Sequence, residues 1–232
     1  MNLEELMGGM IRGEAERQRV VWSPTAWLKR SERFGLGWEP IVDHLAEQCD
    51  HPTAARQNRL LPRAAVHGVG DRCPGEFRPR DLLVACCVWG FGRHPRGRAR
   101  THAMLRADDV DRLLEDIVSL SRVNGETGFN ALFSNWRPRV PGLGVAFGTK
   151  LVYFCAASGV RPRPLIYDRF VSIGLRDVSD RPFPPATGRV RTEDYGAYLA
   201  LAEEVAAKAG VLAEDVEHAL FGHGKAVVES GG

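Results

Sequence analysis

The sequence predicts an all-α fold, a compact helical unit. Three observations carry this. Apolar residues recur at helical spacing through most segments beyond about residue 40, proline and glycine punctuate the segments, and alternating strand patterns are scarce. The 232 residues, 44% hydrophobic and 26% charged, describe an ordinary globular chain, long enough to bury a core without staples. Residues 1–35 read as a helix with a loosely placed arm, 36–225 as a helical domain of two lobes around a cleft, and 226–232 as a disordered tail.

The elements follow in order. "EPIVDHLAEQC" has helical spacing after Pro40, and "FRPRDLLVACCVWGFG" starts near a proline and ends in glycines, as a buried helix does. "ADDVDRLLEDIVSLSRV" carries acids in its first turn and Leu113, Leu114, Ile117 and Leu120 on one face. "ETGFNALFSNW" is a shorter helix; "TKLVYFCAA" is strongly apolar, although "KLVYF" alone could be a strand. "DRFVSIGL" follows, then a proline-rich loop at 181–188. "TEDYGAYLALAEEVAAKAG" has Thr192 as N-cap and Gly210 just past its end, and "LAEDVEHALFGHGK" is the last helix.

The net charge of +2 does not announce a nucleic-acid binder, but local basic surfaces can steer an anionic partner. The cysteines Cys49, Cys73, Cys86, Cys87 and Cys155 lack paired spacing and fit reduced core thiols, an expectation of the cytoplasm. The charged start "MNLEELMGGMIRGEAERQ" has no apolar core for a signal peptide, and no run reaches the roughly 18 apolar residues of a membrane helix.

Within "VPGLGVAFGTKLVYF" stands Lys150, one of four lysines, while arginine supplies the other 27 cationic side chains. An amine can lose its proton and act as a nucleophile, which a guanidinium effectively cannot. The stretch is not a phosphate loop: that motif sets its lysine before the hydroxyl residue, and here Thr149 precedes Lys150. Two plainer readings stand beside the nucleophile: Lys150 snorkelling from a helix start, and Asp168 as a simple N-cap.

The ordered set of glycine hairpin, Lys150, apolar helix, proline loop "RPRPLIY" and Asp168 resembles the helix–hairpin–helix of the DNA glycosylase superfamily, over about residues 125–175. Ala146-Phe147-Gly148-Thr149-Lys150 is similar to the G-h-G-T-K of its lysine-bearing members, in which the lysine begins the second helix. The resemblance implies a compact helical glycosylase fold with a Gly/Pro-Asp loop, and double-stranded DNA as partner. The target base would be extruded, Lys150 would attack the sugar C1′, Asp168 would stabilise the cationic sugar, and a Schiff base could follow with strand cleavage. It also implies phosphate contacts from the hairpin backbone at Gly144, Ala146, Phe147, Gly148 and Thr149.

Three departures qualify it. No cysteine follows Cys155, so no iron–sulfur cluster is expected; no metal or cofactor is expected at all. Ala146 stands where the hairpin has its first glycine. Phe154 stands where 8-oxoguanine glycosylases have a cysteine that packs on the extruded base. The overall look is that of small bacterial proteins of 8-oxoguanine-glycosylase fold, some relatives of which act in antiviral defence. A phage-modified base therefore rivals oxidised guanine as substrate.

Other constellations fit around this. "WGFGRHPRGRARTH" reads as a glycine-rich loop whose Arg93, Arg96, Arg98 and Arg100 suit phosphates, with Trp89 for the base pocket. Arg137 and Arg139 precede the hairpin where a phosphate would lie, and Trp136 between them reads as core. Phe221 and His223 lie where relatives bring a last helix to the base, although a packing Phe and a satisfied surface histidine fit equally. Glu126 and Asn130 fall on a helix near the proposed cleft without an assigned role. His44, Cys49 and His51 lack a fourth zinc ligand. The leading expectation is a monomeric, lysine-dependent DNA glycosylase of base excision repair, with AP-lyase activity. The alternatives are a non-catalytic helix–hairpin–helix DNA-binding module and a helical interaction domain without DNA binding.

Overall fold

The computed structural model describes residues 2–49, 58–157 and 159–231. Among the described residues the fold is all-α apart from two small antiparallel ladders. Its N-terminal part holds α1 (Leu3–Gly8), a 3₁₀ turn at Ala15–Arg17, β1 (Arg19–Trp22), α2 (Pro24–Phe34) and α3 (Glu39–Glu47). β2 (Arg59–Pro62) pairs with β1, Val20 opposite Leu61. This corrects the loose arm expected at 1–35. Trp22 and Trp27 have no exposed surface, and indoles of that size are worth more buried than any arm could offer in water.

The centre is built by α4 (Arg63–Asp71), α5 (Pro79–Phe91), α6 (Pro95–Leu105), α7 (Val110–Ser121) and α8 (Gly125–Ala131). α5 begins on Pro79, the helical position that tolerates proline, and Leu82–Trp89 are all buried, as in a helix surrounded by others. The supposed glycine-rich loop at 89–102 is instead the end of α5, a short turn and α6; Gly92 at φ 53° makes the turn, and His94 caps α6.

After α8 come β3 (Phe133–Ser134) and β4 (Arg137–Pro138), then the loop through Gly142 and Gly144 into α9 (Val145–Cys155). "KLVYF" is therefore helix, because it lies inside α9 with every residue buried. α10 (Arg169–Val178), α11 (Thr192–Ala209) and α12 (Ala213–Ser230) complete the chain. The N-cap of α11 is Arg191 rather than Thr192, and Gly210 takes the left-handed conformation beyond its end. The tail expected to be disordered from 226 is helical as far as Ser230, as α12 simply continues; Gly232 lies outside the described residues.

Glycines set two crossings that position the site. A Cβ at Gly70 of α4 would sit 1.8 Å from the Phe154 carbonyl oxygen of α9, and one at Gly224 of α12 would sit 1.9 Å from that of Phe170 in α10. Helix backbones approach that closely only where a side chain is missing.

Candidate active site

α9 is apolar almost all round and buried, yet it carries Lys150, 4% exposed. The lysine is the sixth residue of α9, not its first. This corrects the expected hairpin: the turn is Gly142-Leu143-Gly144, with Gly142 at φ 86° and Gly144 as N-cap, and Ala146–Thr149 already form the first helical turns. A charge or nucleophile in the second turn of a helix lies beyond the reach of its N-terminal field.

The Lys150 side chain runs back toward the start of α9, the direction helical geometry imposes. Its Nζ donates to the Ala146 carbonyl at 3.3 Å and to Asp168 Oδ2 at 3.1 Å. The aliphatic stem has room because α5 carries Gly90, where a Cβ would lie 3.2 Å from Lys150 Cδ and 2.6 Å from Phe147. Asp168 caps α10: its Oδ1 accepts from the backbone N–H of Phe170 and of Val171, at 3.1 and 3.2 Å. The carboxylate is thus an N-cap and the lysine's partner at once, with one oxygen for each duty. Thr149 ties the segment before it to α9, since its Oγ1 accepts from Tyr167 N–H at 3.0 Å.

Lys150 and Asp168 line a cavity of about 230 Å³ with Gln18, Val20 and Val21 from the N-terminal segment, Trp89, Phe91 and Arg93 from α5 and its turn, and Glu217 and Phe221 from α12. A larger cavity, about 460 Å³, lies among Arg63, His67, Tyr153, Arg163 and Glu214 and contains neither Lys150 nor Asp168. Arg63 stands between the two. Its Nη1 and Nη2 hold the Glu217 carboxylate at 3.2 and 3.1 Å, Nη2 donates to Gln18 Oε1 at 2.7 Å, and Nη1 donates to Tyr153 Oη at 3.1 Å. Burial opposes the charge on Arg63, but Glu217 and Tyr153 outweigh it and hold the guanidinium's pKa above its ordinary value. Burial pushes the Glu217 carboxyl up, with Arg63 opposing, and pushes the Tyr153 phenol up to about 12. An arginine has donors only, so the amide facing it must present its oxygen. That leaves the Gln18 Nε2 as a donor without a partner among the described residues, and Gln18 and Glu217 both line the recess.

The other residues singled out in the sequence divide. Trp89 and Phe221 line the cavity; Phe154 does not, being fully buried against His67, Tyr153 and Trp89. Gly144 and Ala146 are half-buried at the start of α9, whereas Phe147, Gly148 and Thr149 are buried, Gly148 against Leu132 and Thr149 through a bond to the Val145 carbonyl. Arg96 and Arg137 are exposed, and Arg98 is half-buried on α6. Arg139 is turned inward to Asp116 at 2.7 Å. Trp136, expected in the core, is 50% exposed. His223 bonds Asp177 at 2.7 Å; Asn130 accepts from Thr192, away from the cavity. Among the described residues no group of His, Cys, Asp or Glu could hold a metal; His51 lies outside them.

Sequence reasoning missed Arg63, Gln18 and Glu217. Glu217 was within reach, since it precedes Phe221 by one helical turn and so shares its face. Gln18 sits in a short irregular segment that no periodicity marks.

A buried amine, a carboxylate and a partly apolar recess stand together on a helical frame. Residues 13–221 match the family described as "Putative 8-oxoguanine DNA glycosylase OGG-like protein". The chain belongs to this family. No curated protein and no solved structure matched it. Membership of the OGG-like family makes this a DNA glycosylase-type chain that acts on DNA, and among the described residues no helix is long and apolar enough to cross a membrane.

Proposed function

We propose that this OGG-like protein excises a damaged or modified base from duplex DNA with Lys150 as the nucleophile. The observation that carries the reading is the 3.1 Å contact between Lys150 Nζ and Asp168 Oδ2 at a recess of nucleobase scale. The cavity is smaller than the ~300–1,000 Å³ of drug-sized sites, as suits one extruded ring system. Lys150 Nζ first gives up its ammonium proton to solvent, and the freed lone pair attacks C1′. The glycosidic C–N bond breaks and its electron pair leaves with the base, which takes up a proton. Asp168 stays anionic and faces the positive charge that spreads over C1′ and the ring oxygen. Its fixed cap geometry means that no reorganisation is needed when that charge forms.

The nitrogen bound to C1′ then expels the ring oxygen as a hydroxyl, leaving an imine between Lys150 and the opened sugar. Loss of a C2′ proton and of the 3′ phosphate oxygen completes the lyase step. Trp89, Phe91 and Phe221 supply apolar and aromatic surface for the base, and Gln18 Nε2 and Glu217 offer it a donor and an acceptor. The start of α9 has no side-chain cap, which leaves amide N–H groups for a DNA phosphate beside Gly144 and Ala146. Arg96, Arg98 and Arg137 add phosphate contacts; Arg100 holds the turn through the Gly142 carbonyl at 3.1 Å.

Duplexes bearing 8-oxoguanine, or the modified cytosines of phage genomes, incubated with the protein and borohydride test this. A reduced covalent adduct with the wild type and none with Lys150→Gln supports it. Identical behaviour of the two proteins on every substrate that is cleaved removes the lysine assignment. The substrate that traps also separates base excision repair from antiviral defence. Salt-sensitive duplex binding without base release, unchanged in Lys150→Gln and Asp168→Asn, would instead identify a non-catalytic DNA-binding module.

A further inference from the structure

The larger cavity, about 460 Å³, is twice the volume of the Lys150 recess and takes no part in the reaction proposed there. It falls within the ~300–1,000 Å³ of small-molecule sites. α4 makes one wall with Arg63, Ala64, His67, Gly68 and Asp71, which recur at helical spacing on a single face. A helix face turned toward other elements is normally filled by large apolar side chains. Here Ala64 and Gly68 leave a trough: a Cβ at Gly68 would meet only Arg72 Nη2, at 4.0 Å. Tyr153 and Ala156 at the end of α9, Arg163 from the loop before α10 and Glu214 at the start of α12 close the other sides.

The polar groups of this cavity are incompletely matched. Arg163 gives Nε to Glu214 at 2.8 Å and Nη1 to the Ala156 and Ala157 carbonyls, and its Nη2 keeps no partner among the described residues. Neither ring nitrogen of His67 has a hydrogen bond among the described residues, although the imidazole packs edge-to-face on Tyr153 with centroids 4.7 Å apart. Burial and the two arginines keep that imidazole neutral, so one nitrogen donates and the other accepts. Charge decides what can enter. Arg63 and Arg163 are already paired, with Glu217 and Glu214. Glu16, Asp71 and Asp215 add further carboxylates to the lining, with no further cation. A phosphate is repelled by such a wall, whereas a neutral molecule that donates hydrogen bonds is held by it.

We propose that this second cavity binds a neutral, amine-bearing nitrogen heterocycle of the nucleobase class, with its ring against the His67 imidazole, its amine toward the carboxylates of Glu16, Asp71 and Glu214, and a ring nitrogen toward Arg163. A flat ring that carries both donors and acceptors answers all of these groups at once, and a DNA strand, with its phosphates, does not. The site stands independently of the chemistry at Lys150.

Adenine is the probe, titrated into the full chain and followed by ligand-observed NMR, with thermal melting of every variant recorded alongside. Wild type should bind it with a Kd of about 0.1–1 mM, as suits so small a ligand. Purine, which lacks the amine, should bind about tenfold more weakly. Adenosine monophosphate should also bind about tenfold more weakly than adenine or adenosine, because its phosphate meets the carboxylates. Adenosine binding as well as adenine makes nucleosides the source of the ligand; adenine binding alone makes it a free base, of the kind that base excision releases. His67→Ala should weaken binding about tenfold. Ala64→Trp, at an exposed position of the wall, should fill the trough and abolish binding, while Lys150→Gln should leave it unchanged. No saturable binding of adenine by wild type overturns the proposal, as does tighter binding of the monophosphate. Binding that survives Ala64→Trp and disappears in Lys150→Gln also overturns it, since the base would then sit in the recess. Borohydride trapping on a lesion duplex reports on Lys150 separately, so either reading can fail without the other.

Discussion

Two buried ion pairs border the same recess and are built to opposite ends. Arg63–Glu217 is a two-pronged pair, and the remaining bonds of the guanidinium go to Tyr153 and Gln18. Lys150–Asp168 is a single contact, and among the described residues the lysine's one other bond goes to the Ala146 carbonyl. A guanidinium with every terminal nitrogen engaged cannot give up its proton and serves as a wall. An amine held by one carboxylate oxygen and one carbonyl can give up its proton, as the proposed function requires of Lys150. The pair at Glu217 is thus held rigidly, and the amine at Lys150, which the proposed function makes the nucleophile, is under lighter restraint.

Perturbing each pair should give different kinds of loss. Lys150→Gln keeps a hydrogen-bond donor near Asp168 and removes the nucleophile, so base release should fall about 10⁴-fold or more with little change in melting temperature. Single-turnover kinetics and calorimetry on the same preparation check both halves. Arg63→Ala should do the reverse at first: it leaves the Glu217 carboxylate buried and unpaired, for a stability loss of about 3–5 kcal/mol in denaturant titration. Arg63→Lys should recover only part, because an ammonium cannot grip both carboxylate oxygens and Gln18 together.

A pH-dependent contribution to stability comes from His67, largely buried beside the two arginines Arg163 and Arg63. Burial, then Arg163, then Arg63 lower its pKa from 6.5 to about 3, so the folded state keeps the imidazole neutral. The unfolded chain binds a proton there at higher pH than the folded one. Stability from this group is therefore complete above pH 6.5 and is lost as pH falls toward 3, up to about 3 kcal/mol by pH 4. Stability curves of wild type and His67→Gln should converge across that window; parallel curves would mean that folding does not lower the His67 pKa. The smallest effect concerns how α12 presents Glu217. Gly224→Ala puts a methyl against the Phe170 carbonyl and should cost about 1–3 kcal/mol while moving α12 relative to the Asp168 cap. A crystal structure of the variant with α10 and α12 unmoved would contradict that.

Much of this was legible beforehand, for reasons that differ by residue. The long helices announced themselves by apolar spacing and by Pro79, Gly210 and Asp168 at their ends. That Lys150 and Asp168 meet is legible from the order of lysine, apolar helix, proline loop and carboxylate; their contact is observed, and their chemistry is the proposal. The sequence places the turn four residues too late because two similar patterns follow one another, Gly142-x-Gly144 and Ala146-x-Gly148, and only backbone geometry decides between them. Trp136 was assigned to the core because composition places tryptophan inside; the two-residue turn that expels it depends on a strand pairing just two residues long on each side. Arg63, Gln18 and Glu217 come from segments nearly 200 residues apart, and no local pattern links them.

Peptide mapping of the borohydride-reduced adduct tests the central claim most directly, because the chain offers only Lys29, Lys150, Lys208 and Lys225 as lysine sites. The expected result is a sugar fragment on Lys150 alone. A fragment on another lysine or on the terminal amine, with Lys150 unmodified, would contradict the account.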